Sequence, residues 1–215
     1  IDADLDQHAG RTDKPLASGR LTKQTVRRAI AGAAVLVVPL SLLTGLGSGI
    51  AHLAAVLGAL AYNLGLKKTP FSVVPYALAF GLVPAFVTLG PPITHYPPLW
   101  ATAAGALLGA GAHFTQSLPD LDTDRQAGIN GLPHRIGARA SALTAAALIA
   151  AAAAAVALGP THPQPLLYLG LAIALMLLGA IVVAAATDHL KLAFRLTLVT
   201  AVAVVATVVA AGVAF

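Results

Sequence analysis

Two short windows of this 215-residue chain repeat one pattern of acid. Asp2, Asp4, Asp6, Ala9, Gly10 and Pro15 recur as Asp120, Asp122, Asp124, Ala127, Gly128 and Pro133, a match at six of fourteen positions, without a gap, 118 residues apart. All eight acidic residues are Asp, and seven of them fall within residues 2–13 and 120–124, leaving only Asp188 elsewhere. Carboxylates at i, i+2 and i+4 repel one another, and an Asp at a membrane helix centre costs about 2.5–3.5 kcal/mol. A cation is the natural compensation. On a helical end, i and i+4 share a face, so Asp2 with Asp6, and Asp120 with Asp124, would each direct two carboxylates to one point, leaving Asp4 and Asp122 nearer the far side. Hard oxygen pairs of this kind suit Mg²⁺, which takes one or two carboxylates, keeps water and is completed by substrate phosphate. Two windows predict two ions.

Cations crowd the same windows. Arg11, Lys14 and Arg20 follow the first, Arg125 and Arg135 belong to the second, and Lys67 and Lys68 occupy a third charged stretch. Metal together with Arg, which offers paired donors, and Lys, which offers a point charge, makes a diphosphate clamp. Because the clamp opens onto apolar helices, the rest of its substrate should be greasy, and a polyprenyl diphosphate fits both ends.

The elements that must position these residues are set by composition. The chain is 58% hydrophobic and only 10% charged, against about 25% charged in soluble domains, so its solvent is largely lipid. With about 20 apolar residues per membrane span, charge-free runs predict an all-α, multi-pass bundle. Its seven helices lie near 29–46, 50–66, 71–89, 99–117, 141–158, 166–187 and 196–214. Gly45, Gly47 and Gly49 are read as ending the first, Pro91, Pro92, Pro97 and Pro98 as a long turn, and Gly159 to Pro165 as another break. All thirteen Lys and Arg then fall on one side, and the loops 46–49, 90–98 and 159–165 hold none. The positive-inside rule makes that side cytoplasmic. Four spans separate the two acidic windows, an even number, so both meet the same mouth. Spans rich in Ala and Gly allow helices to pack closely. The positive charge does not form a basic face with interleaved aromatics, which excludes nucleic acid as a partner. The absence of Cys excludes thiolate chemistry and Cys-ligated metals.

These residues carry a resemblance to the UbiA superfamily of intramembrane prenyltransferases. Asp2-x-x-x-Asp6 resembles the last two acids of its first motif. Arg11–Gly19 resembles the stretch that follows, with Lys14 in place of an arginine, and Asp120-x-x-x-Asp124 with Gly128 resembles its second motif. Tyr62 followed six residues later by Lys68 is also similar. The resemblance covers essentially the whole chain, read as a single domain over residues 1–215. It implies nine helices, of which seven are present, so the sequence, which starts at Ile1 rather than Met, is expected to be a fragment lacking the first two. It further implies a transferase of prenyl groups with Mg²⁺ held by Asp2, Asp6, Asp120 and Asp124. Lys14, Lys68 and Arg135 would neutralise the diphosphate, and an aromatic or other lipophilic acceptor, as in quinone biosynthesis, would capture the prenyl cation. Loops 7–23 and 119–139 would cap the site against water, and no residue stands out as a catalytic acid, base or nucleophile.

His113 and Gln116, seven and four residues before Asp120, form a stripe toward the same mouth, and Asn63 neighbours Tyr62. These residues are candidates for lining the substrate cavity. His8 and His134 are read as solvated, His52 and His95 as outer-side structural residues, and Asp188 with His189 as an interfacial anchor. The alternative reading is an ion-coupled transporter with Asp-rich cytoplasmic loops, although transporters place their charge near the bilayer midplane, and here it lies at one face. A CDP-alcohol phosphotransferase would need an Asp-Gly-x-x-Ala-Arg pattern that neither window contains.

Overall fold

Helix α1 (Lys23–Leu43) opens where Thr22 caps it, the hydroxyl accepting from the Thr25 N–H at 3.1 Å and satisfying one orphan donor of the helix start. The structure is a computed structural model and describes residues 15–92, 94–162 and 164–212. Lys23, Arg27 and Arg28 lie inside the first turns of α1, ahead of the expected start at 29. Long basic side chains can reach the interface from within a helix, so the helix need not wait for the charge to end.

Helix α2 (Leu46–Leu64) follows after two residues, with Gly45 at φ 107° in the turn. Gly47 and Gly49 do not end the first span, as expected, but belong to α2. A Cβ on Gly49 would stand 2.7 Å from the Ser41 carbonyl oxygen, so this glycine lets α1 and α2 close on each other. A single 3₁₀ turn, Leu66–Lys68, leads to α3 (Val74–Gly81) and α4 (Val83–Thr88). These two form one broken leg, because Pro84 has no N–H to continue the ladder.

The chain then runs through α5 (Leu99–Ser117), a 3₁₀ turn (Leu118–Asp120), the short helices α6 (Leu121–Gln126) and α7 (Leu132–Ile136), and α8 (Ala138–Leu158). It finishes with α9 (Pro165–Ala186) and α10 (Leu190–Ala210). Lys191 and Arg195, expected between the last two spans, sit within the first turns of α10.

The result is the expected all-α, multi-pass bundle, with no strand among the described residues. Helices α1, α2, α8, α9 and α10 are long and apolar enough to cross a membrane, and α3–α4 supplies a shorter apolar leg. The remaining leg, α5, carries the polar groups His113 and Gln116 and turns His113 inward. Successive legs alternate in direction, as the close approaches of Gly109 to Tyr76, Gly159 to Trp100 and Gly170 to Thr207 require, which gathers the described Lys and Arg at one end of the bundle. The core joins α5, α8, α9 and α10 largely through small side chains: Ala142, Ala145, Ala152, Ala157, Ala174 and Ala193 are fully buried. Large apolar side chains such as Val35, Leu43 and Val209 are exposed on the outside, the surface that lipid rather than water covers. Helix α3 is seated directly on α5, since a Cβ on Gly105 or Gly109 would collide with the carbonyl oxygens of Phe80 and Tyr76. An apolar groove of about 460 Å³ runs between α3–α4, α5, α8 and α10, walled by Phe80, Trp100, Leu108, Val156, Val204 and Val208 among others.

Candidate active site at the charged end of the bundle

The close seating of α3 on α5 brings aromatic and polar groups together at the end where the cations lie. Tyr62, from the end of α2, meets Tyr76 of α3 edge to face at 5.3 Å and His113 of α5 at 5.8 Å. Tyr76 and His113 are 4.8 Å apart, and the Tyr76 hydroxyl donates to Gln116 Oε1 at 2.9 Å. Offset and edge-on rings are the favoured arrangements of such a cluster. Tyr62, His113 and Gln116, picked from sequence, therefore come together, joined by Tyr76. Asn63 does not join them: it is exposed and donates back to the Ala59 carbonyl of its own helix at 3.0 Å. On α3, Phe80 is one turn from Tyr76, and on α5, Leu108 is just over a turn from His113, so the cluster stands at the charged end of the apolar groove.

The second acidic window unfolds beside it. Asp120 is exposed at the start of α6, Asp124 is half-buried, and the Asp122 side chain is 92% exposed, with Arg125 Nη1 3.4 Å away. Exposed pairs of that kind contribute little. His134, read from sequence as solvated, is instead buried at 5% exposure, and its Nε2 donates to Asp124 Oδ2 at 3.2 Å. The reason is local. Gly128 takes φ +74°, its N–H reaches the Arg125 carbonyl, and the Ile129 N–H reaches Asp124. This left-handed Schellman ending suits glycine and turns the chain back over α6. Arg125 then donates to the His134 carbonyl at 2.6 Å, Ser141 Oγ holds the Pro133 carbonyl at 3.1 Å, and Arg135 Nε holds Asn130 O at 3.0 Å while remaining exposed. His134 Nδ1 is buried without a hydrogen-bond partner among the described residues.

A residue that the sequence reading did not single out joins these parts. Ser72, fully buried, has its Oγ 2.9 Å from His113 Nε2 and accepts from the Leu132 N–H at 2.9 Å. Next to it, a Cβ on Gly131 would stand 2.6 Å from the Lys67 carbonyl oxygen and 2.8 Å from Ser72 Oγ. Of the two lysines in that turn, Lys67 is buried and Lys68 is exposed. Neither Ser nor Gly carries a chemical signature, and their partners lie 41 and 60 residues away, so no spacing rule would have found them.

Asp2, Asp4, Asp6 and Lys14 lie outside the described residues. Among the described residues no three His, Asp or Glu side chains converge on a common point. Asp120 and Asp124 nonetheless supply two hard carboxylates from one short segment, a donor set that fits an ion taking one or two carboxylates and completing its shell with water and phosphate.

The model of the UbiA prenyltransferase family matches residues 1–196. The fold is similar to the apo structure of a UbiA homolog from Aeropyrum pernix K1, with a TM-score of 0.75 and 21% identity over 99% of this chain and 82% of that one. At that identity the likeness concerns the fold. No curated protein matches the chain.

Proposed function

The chain belongs to the UbiA prenyltransferase family, and on that premise we propose that it moves a polyprenyl group from a polyprenyl diphosphate to an aromatic or other lipophilic acceptor, releasing pyrophosphate, at the cytoplasmic face of the cell membrane. The observation that carries this reading is the juxtaposition at one end of the bundle: the segment bearing Asp120 and Asp124 closed against the Lys67–Lys68 turn, beside an aromatic cluster on α3 and α5, with an apolar groove beginning about a turn further along those helices.

In this reading Asp120 and Asp124, with Asp2 and Asp6 of the first window, hold Mg²⁺. Bound Mg²⁺ would supply charge neutralisation and a template for the diphosphate. Lys68 and Arg135, exposed beside the acidic loop, would pair with the phosphate oxygens, joined by Lys14, and favour the departing pyrophosphate as its charge develops. The donor's C–O bond breaks with both electrons leaving on pyrophosphate. The allylic cation that remains forms a bond to a nucleophilic carbon or oxygen of the acceptor, which then loses a proton. Tyr62 and Tyr76, with His113 beside them, would face such a cation, and Tyr ring faces attract cations by about 0.5–2 kcal/mol. The groove would take the apolar tail and keep water from the cation.

The test is prenyl transfer in proteoliposomes, with geranylgeranyl diphosphate and a panel of hydroxybenzoate, naphthoate and glycerol-lipid acceptors. Mg²⁺-dependent pyrophosphate release with prenylation of one acceptor is expected. Ion flux, with no prenylation of any acceptor, would favour the transporter instead.

A further inference from the structure

We propose that Ser72 is a positioning residue, whose buried hydroxyl latches the Lys67–Lys68 turn to the second acidic loop and so sets the spacing between the two sides of the diphosphate site. The inference rests on the prenyl diphosphate reading above for its functional half, and on geometry alone for its structural half.

A serine Oγ has one proton and can accept two bonds. Here it accepts from the Leu132 N–H at 2.9 Å and shares a second hydrogen bond with His113 Nε2, also at 2.9 Å. One atom thus joins three segments: its own turn, helix α5 and the loop that begins at Gly131. A buried hydrogen bond that loses one partner leaves the other unsatisfied, which makes such joints costly to break. The joint is also tight. Gly131 lies so close to the Lys67 carbonyl and Ser72 Oγ that a single added methyl group would force the two loops apart.

The position of the latch gives it its consequence. Ser72 follows Lys68 by four residues, while Leu132 follows Asp124 by eight and precedes His134, the partner of Asp124, by two. Lys68 lies in the 3₁₀ turn between α2 and α3 and Asp124 in α6, between α5 and α8, and Ser72 is a bond between those two connections. His113 is itself buried and packed against Tyr62 and Tyr76, so the latch ties both connections to the end of α5. A diphosphate held between a lysine and a carboxylate-bound cation requires a constant distance between them.

The chain has no Cys, so spin labels can be placed cleanly on Pro70→Cys and Gln126→Cys in the full chain and their separation measured by electron–electron double resonance in proteoliposomes. With Ser72 intact, one narrow distance is expected. Ser72→Ala should broaden or lengthen it, Ser72→Thr, which keeps the hydroxyl, should restore it, and Gly131→Ala should lengthen it without touching the hydroxyl. An unchanged distribution in both Ser72→Ala and Gly131→Ala overturns the latch, whatever the protein's activity. In a turnover assay without the labels, Ser72→Ala should raise KM for geranylgeranyl diphosphate about tenfold and change kcat much less, with recovery in Ser72→Thr. Altered distances with an unchanged KM would overturn the positioning role. Absence of turnover in the unsubstituted protein would count against prenyl transfer itself, and the distances would then decide the latch alone.

Discussion

Asp124 and His134 form the contact at which the proposed chemistry is most exposed to test. A buried imidazole donating to a half-buried carboxylate orients it, and loss of such a supporting partner typically costs about 10–100-fold in metal affinity. His134→Ala should therefore raise the Mg²⁺ concentration for half-maximal pyrophosphate release by about that factor. An unchanged Mg²⁺ titration would make the pair merely structural. Lys68→Ala should act differently, raising KM for the prenyl diphosphate at constant Mg²⁺ dependence, since an exposed lysine serves as a point charge. If KM and kcat both stay the same, Lys68 is only an interfacial anchor. The acidic residues could be found in the sequence because acid is rare in this chain and clustered where it occurs. The burial of His134 could not, because it depends on the Gly128 turn folding residues 129–136 back over α6.

At the scale of helices, two of the three Gly residues of α5 matter most. Gly105 and Gly109 let α3 approach until backbone meets backbone, and that approach places Tyr76 against Gln116 and Ser72 against His113. Gly109→Val should push α3 outward and cost about 1–3 kcal/mol, the usual range for overpacking. Thermal unfolding in detergent would measure it, and an unshifted midpoint would show that the helices can part without loss. The number of helical legs and their order were readable from hydropathy, since lipid demands long apolar runs. Their ends were less so. A charge in the sequence suggests the end of a span, yet Lys23, Arg27, Arg28, Lys191 and Arg195 all lie inside helices. Glycine likewise suggests a break, yet Gly49 serves the packing of α1 on α2. In both cases tertiary context outweighs the local signal: an interface within reach of a long side chain, and a neighbouring helix with no room for Cβ.

Over the whole molecule, asymmetry is the governing feature. The described Lys and Arg gather at one end, an open apolar groove lies between α3–α4, α5, α8 and α10, and large apolar side chains cover much of the outside. The proposed cytoplasmic orientation predicts that Gln126→Cys reacts with a membrane-impermeant thiol reagent only after spheroplasts are opened, whereas Tyr96→Cys, 87% exposed on the opposite end, reacts in closed ones. The reverse pattern would invert the topology. Equilibrium binding of geranylgeranyl diphosphate to the purified chain, with and without Mg²⁺, tests whether the charged end holds a prenyl diphosphate through Mg²⁺ on its Asp residues. Saturable binding is predicted that requires Mg²⁺ and falls about 100-fold in Asp124→Asn. Equal binding with and without the ion, or undiminished binding by Asp124→Asn, would contradict that mode of binding.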